Sequence, residues 1–387
     1  MRVVTTRSSY ARLVLCTAML GWLSGCSSTA SGVEVVDVRE KGRYLSIIGA
    51  CEACHTPPRV PATPPAAGSP EYIEELQFRA DPDWFRYLDD ERRLAGGVPF
   101  IMRFSATSSG VVYTPNITPD EITGIGTWSV NDIVKALRTG VRPDGQVLFA
   151  FPPHSFYKNL AKNDAIAIAE YLLAQPAVNH QVQPRSLPFP PSPMSATSMQ
   201  NAPQGRNTER AMYLMKALIG CRECHSHAPS PGAELIDFVG GDPSDPFTGV
   251  FRLGPDLPLR QNEPGFAAFP YPGYAVLYGP NLTRFGLGGS HAGVSSDELV
   301  KAIRRGISPH HDRYERPELL HSVMLWQFYA SMADDDAYAI AEFIKSLRYQ
   351  PHAVPGLTFY GEDWEAAFQA VFGEPPSSND RLIFGKP

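Results

Sequence analysis

The chain has 387 residues, 43% hydrophobic and 19% charged, which are the values of a globular protein and exclude wholesale disorder. Its 37 prolines and 32 glycines exclude a coiled coil and predict short elements joined by long connections. Residues 1–25 hold Arg2, Arg7 and Arg12 and no acid, so the remaining 362 residues carry 31 basic against 40 acidic side chains, a net −9. That balance lacks the clustered Lys and Arg that a nucleic-acid partner requires.

In chain order, the three early arginines precede an apolar run from Leu13 to Leu23 and the sequence Leu23-Ser24-Gly25-Cys26. This is the layout of a secretory signal over residues 1–25, shorter than a stable membrane span. The Leu-Ser-Gly-Cys ending resembles the bacterial lipobox. The expectation is an exported chain, lipid-anchored at Cys26 to a bacterial membrane facing the periplasm or exterior, with residues 26–37 as a tether. An ordinary cleavage nearby would instead leave Cys26 as a free thiol, a liability in an exported protein.

Residues 38–178 and 207–353 read as two copies of one unit, joined by a Pro-rich linker at 179–206 and followed by a tail at 354–387. Tyr113-Thr-Pro-Asn116-Ile-Thr118 is echoed by Tyr278-Gly-Pro-Asn281-Leu-Thr283, and Lys135-Ala-Leu-Arg138 by Lys301-Ala-Ile-Arg304. Three helices are predicted per copy. The first lies near Val38–Ile48 and Glu209–Ile219. The second opens on a capping box, Ser129-x-x-Asp132 or Ser295-x-x-Glu298, and stops at Gly140 or Gly306. The third runs from about Asn163 to Ala174 and from about Asp334 to Leu347, with small residues that allow a close crossing of the first. In the tail, Trp364, Phe368 and Phe372 stand at helical spacing.

Each first helix leads into the same five-residue turn, Cys51-Glu52-Ala53-Cys54-His55 and Cys221-Arg222-Glu223-Cys224-His225. Four exported cysteines could form two disulfides, and a bare C-x-x-C could be a redox dithiol or half a zinc site. None of these explains a histidine directly after the second cysteine, twice. C-x-x-C-H is the attachment signature of c-type haem. Cys51, Cys54, Cys221 and Cys224 are the expected thioether anchors of two covalent haems, and His55 and His225 the proximal iron ligands.

These residues resemble the class I cytochrome c fold. More narrowly, they look like the multihaem cytochrome c subunits of membrane-associated alcohol, aldehyde and gluconate dehydrogenases. The narrower resemblance rests on Y-x-P-N-[IL]-T, on Thr123-Gly-Ile-Gly-Thr-Trp-Ser129 and on Gly140-Val-Arg-Pro-Asp-Gly145. It implies an all-α chain of two tandem cytochrome c domains with long loops. It also implies that Asn116, Thr118, Asn281 and Thr283 lie near the haem edge and propionates; turn chemistry after proline would use the same residue types.

A distal methionine five residues ahead of a tyrosine is implied by the same resemblance, which selects Met324 ahead of Tyr329, with His310, His311 and His321 as rivals. In the first copy Phe156-Tyr157 aligns with Phe328-Tyr329, and the methionine position falls on Pro152, which cannot bind iron. His154 is the favoured replacement, beside Met102 and an open position. The function expected is single-electron transfer between a dehydrogenase or membrane donor and a respiratory acceptor. The competing readings are a haem enzyme (a peroxidase or sulfur-compound oxidoreductase) acting at the first haem, and a structural subunit whose haems wire a larger complex.

Overall fold

The computed structural model describes residues 37–57, 88–105, 108–149, 154–229, 234–242, 250–253, 265–267, 274–309, 320, 324–354, 358–360 and 365. The signal and Cys26, Pro152, His310, His311, His321 and the helical pattern at Trp364–Phe372 lie outside the described residues, as does the side chain of Met102.

Helix is the dominant regular structure of the described chain. The first copy holds α1 (Val38–Ile48), α2 (Cys51–His55), α3 (Val130–Thr139) and α4 (Lys162–Leu173). The second holds α5 (Thr208–Ala217), α6 (Cys221–Cys224), α7 (Ser296–Arg305), α8 (Trp326–Tyr329) and α9 (Asp334–Ser346). Helices α3 and α7 begin as predicted: Ser129 and Ser295 each cap the backbone N–H three residues on, and Asp132 and Glu298 reach back to the cap N–H. Both stop at a glycine in the left-handed region, Gly140 and Gly306.

An all-α chain is too narrow a description. Among the described residues six short strands, β1 (Pro99–Ser105), β2 (Ser108–Tyr113), β3 (Val250–Leu253), β4 (Gly265–Ala267), β5 (Tyr274–Tyr278) and β6 (Thr358–Tyr360), form two three-stranded sheets, ordered β2-β1-β4 and β3-β5-β6. β4 comes from the second copy and pairs antiparallel with β1 of the first. Met102 sits on β1, flanked across the sheet by Gly110 and Phe266.

Helices α1 and α4 cross closely because the crossing point is glycine. A Cβ on Gly42 would stand 1.9 Å from the Ala167 carbonyl oxygen. Around this crossing one continuous apolar cluster runs through both copies, from Leu45, Ile48 and Leu160 to Leu214, Met215 and Ile340. Residues 179–206 lie along the first copy rather than standing clear of it. Helix α4 has no side-chain cap, and its first two N–H groups, of Lys162 and Asn163, donate to the carbonyls of Met199 and Gln200, each at 3.0 Å.

Two buried carboxylates tie the copies together. Asp164 on α4 pairs with Lys41 of its own copy at 2.5 Å and accepts from Tyr213 of the other at 2.7 Å. Asp336 on α9 pairs with Arg210 of its own copy at 2.7 and 2.8 Å and accepts from Tyr44 of the other at 2.6 Å. Burial first, and then the neighbouring carboxylate, push both tyrosine hydroxyls well above their usual range, so both donate at any physiological pH. Removing one partner leaves a buried charge uncompensated, which costs about 3–5 kcal/mol. Asp336→Ala should therefore lose roughly that much in urea unfolding, whereas Glu342→Ala, which breaks only the exposed pair with Arg206, should lose under about 1 kcal/mol. Equal losses would contradict this account of what joins the copies.

Candidate functional site

Each C-x-x-C-H turn begins on a residue in the left-handed region, Ala50 at φ 52° and Gly220 at φ 69°. That reversal ends the first helix and swings the cysteines onto a new short helix. The four cysteines are unbridged thiols. Burial pushes Cys51, Cys54 and Cys224 up to about 12 and moves Cys221 in the same direction. A redox dithiol needs a depressed thiol pKa, so the environment here is of the opposite kind.

The two histidines share one geometry. His55 Nδ1 lies 2.8 Å from the Pro115 carbonyl oxygen, and His225 Nδ1 lies 2.9 Å from that of Pro280. A carbonyl can only accept, so Nδ1 carries the proton and donates, and Nε2 presents a bare lone pair. This is the tautomer a metal-ligating imidazole needs, with its ring orientation fixed from behind. Burial lowers His55 to about 4, against the weaker effect of the Pro115 carbonyl, with His154 lowering it further. His225 is lowered by burial in the same way. Two half-buried thiols and one oriented neutral imidazole per turn fit covalent haem attachment and proximal ligation.

Asn116, Thr118, Asn281 and Thr283 are buried beside these carbonyls. The Asn116 side-chain oxygen accepts from Thr118 N and Oγ1 at 2.9 and 2.8 Å, and its amide donates to Thr123 Oγ1 at 3.0 Å and Val178 O at 2.8 Å. Asn281 repeats the turn with Thr283 and donates to Gln350 O at 2.9 Å. These bonds hold the loop that carries Pro115 or Pro280 against the segment after the third helix.

Of the two distal candidates, His154 opens a 3₁₀ helix over His154–Asn159 and Met324 directly precedes Leu325, the left-handed cap of α8. His154 Nε2 lies 3.0 Å from the Ala136 carbonyl oxygen and therefore donates. Its Nδ1 is then an unprotonated lone pair, buried and without a hydrogen-bond partner among the described residues. Met324 is partly buried. His154 is close enough to His55 to act on it electrostatically.

Sequence reasoning used Tyr157 and Tyr329 only as register marks. Both are buried, and they donate to the carbonyls of Gly49 and Ile219, each at 3.2 Å, just ahead of the attachment turns. Their neighbours cross between copies. Phe156 lies so close to Gly220 that a Cβ there would stand 2.4 Å from its ring, while Leu325 and Phe328 pack against Ala50 and Ala53. The recurrence of Phe-Tyr in both copies was the available signal.

No family model matches the chain. It is 26% identical to one subunit of the nicotinate dehydrogenase of Pseudomonas putida, over 81% of its own length and 22% of that protein's. It is 27% identical to the gluconate 2-dehydrogenase cytochrome c subunit of Pantoea cypripedii, covering 80% of this chain and 59% of the relative. A diheme cytochrome c-type protein of Cereibacter sphaeroides is 26% identical over 53% of this chain and 62% of its own. The chain's relatives thus include a cytochrome c subunit of a dehydrogenase and a diheme cytochrome c. It spans less than two thirds of the length of each of these three relatives. Among the described residues no helix is long and apolar enough to cross a membrane.

Because His55 is held at about 4 in the folded chain against 6.5 when exposed, the folded form binds fewer protons than the unfolded form between those values. Its contribution to stability is complete above pH 6.5 and is lost as pH falls through about 4. Denaturation midpoints of the haem-free chain, in which this imidazole binds no iron, should fall in that order at pH 7, 5.5 and 4.5, and a midpoint rising on acidification would contradict the enclosure of the His55 ring.

Proposed function

We propose that the chain is a dihaem c-type cytochrome that carries single electrons from a dehydrogenase partner or membrane donor to a respiratory acceptor. The observation that carries the reading is the repeated site: two C-x-x-C-H turns, each with its imidazole oriented by a proline carbonyl and its Nε2 left bare. Haem iron, once attached, exchanges one electron between its ferric and ferrous states. The chain's residues do the rest. Cys51, Cys54, Cys221 and Cys224 anchor two haems covalently, and His55 and His225 ligate from the proximal side. Asn116, Thr118, Asn281 and Thr283 act as positioning residues, holding the carbonyls that fix those two rings. Two tandem cytochrome c domains, at 38–178 and 207–353, carry one haem each. The relatives' place in dehydrogenases supports a dehydrogenase as partner.

His154 Nδ1 and the Met324 sulfur are the distal ligands in this reading. A buried imidazole nitrogen with no partner is costly, and ligation accounts for it. Occupied distal positions favour a carrier over a peroxidase or sulfur-compound oxidoreductase. The chain is held at a bacterial membrane through lipid on Cys26.

Protein made with haem-attachment machinery should carry two covalent haems by intact mass, sit in the membrane fraction, and move to the soluble fraction in Cys26→Ser. The reduced protein should not bind carbon monoxide, whereas His154→Ala should bind one equivalent. One haem or none would overturn the dihaem reading, and carbon monoxide binding by the unaltered protein would favour the enzyme.

A further inference from the structure

Behind the second attachment turn, His227, Asp242 and His352 come together. Each offers one donor atom, and the three atoms lie within 4.8 Å of one another. His227 is buried, and its ring stacks on that of His352 with centroids 4.4 Å apart and planes 20° apart. His227 Nδ1 faces the Gly240 carbonyl oxygen at 3.2 Å and so donates, which leaves its Nε2 lone pair bare. His352 Nε2 stands 3.7 Å from Asp242 Oδ2 and 3.4 Å from the Gly241 carbonyl oxygen, to which it donates, so its proton moves to Nδ1 when Nε2 takes a metal.

The first copy supplies a comparison inside the same molecule. The backbone framework is the same in both copies. Gly96 and Gly240 donate to the carbonyls of His55 and His225, each at 2.7 Å. Gly97 and Gly241 donate to those of Thr114 and Gly279 at 2.8 and 2.9 Å. Asn116 and Asn281 donate to those of Val178 and Gln350 at 2.8 and 2.9 Å. Carried through that framework, His227 corresponds to Pro57, Asp242 to Val98 and His352 to His180. The fold is therefore built without this trio in one copy, and two of its three donors belong to the second copy alone. Packing does not require a histidine pair and a carboxylate here.

We propose that His227, Asp242 and His352 form a site for a zinc-class divalent cation. Two imidazoles and one carboxylate are a donor set for zinc with a fourth position left to water. Donors around zinc at about 2.0–2.2 Å stand roughly 3–3.5 Å apart, so the trio closes by about 1–1.5 Å on binding. The stacked rings turn about χ2 as it does so. Gly240 N–H bonds the His225 carbonyl while its own carbonyl accepts from His227, so the site shares a backbone segment with the second proximal histidine.

The test is titration of the full haem-loaded protein, stripped with chelator, with zinc chloride by calorimetry, together with metal analysis after dialysis. One equivalent should bind saturably. Asp242→Asn and His352→Ala should each weaken it about tenfold or more. His180→Ala, at the corresponding place in the first copy, should leave it unchanged. Haem content and unfolding midpoint, measured for every variant, separate lost metal affinity from lost fold, and neither readout depends on redox activity. If His352→Ala loses haem, Asp242→Asn alone decides. The proposal is overturned if the unaltered protein binds no zinc saturably, if the correctly folded variants bind as it does, or if His180→Ala has the same effect as His352→Ala.

Discussion

Asp164 and Asp336 set the constraint on which the rest of the structure depends. A carboxylate taken out of water must be compensated by charge and hydrogen bonds or the fold loses several kcal/mol. Here each is compensated by a cation from its own copy, Lys41 or Arg210, and by a tyrosine from the other, Tyr213 or Tyr44. The exchange is reciprocal, so neither copy can turn away without exposing a broken buried pair. A continuous apolar cluster then fills the space between the four crossing helices.

That arrangement determines what surrounds the two attachment turns. The end of each copy that carries the distal candidate packs on the start of the other copy's C-x-x-C-H helix, Phe156 on Gly220 and Phe328 with Leu325 on Ala50 and Ala53. Gly220 has no side chain to obstruct the Phe156 ring. Tyr157 and Tyr329 extend the same contact inward. Under the proposed function, the residues packed beside the two attachment turns would also join the copies, so the haem sites and the stability of the fold would share a physical origin.

The helices and the attachment turns were legible because their signals are local. Ser129 to Asp132 and Ser295 to Glu298 span one helical turn, glycine ends both helices, and Cys51 to His55 is a single short segment. The strands were not legible, because β1 finds one neighbour in β2 nearby but the other in β4 of the second copy. Such partners leave no mark on either segment alone. Residues 179–206 read as a spacer from their prolines, yet their carbonyls receive the N–H groups that α4 cannot satisfy itself. The Asp336–Tyr44 bond joins residues 292 apart in sequence, beyond any periodicity. His154 was selected by elimination at Pro152; its unpartnered Nδ1 is a structural observation that no spacing could supply.

The central claim is two unlike haems in one welded carrier, His/His in the first copy and His/Met in the second. Thioether ligation raises the potential relative to imidazole. The most direct measurement is a potentiometric titration of the purified full-length protein followed by optical and spin-resonance spectra. The account predicts two reversible one-electron steps of equal amplitude, the higher belonging to the haem whose potential falls when Met324 is replaced by His. A single step, or two in which Met324→His shifts neither, would contradict it.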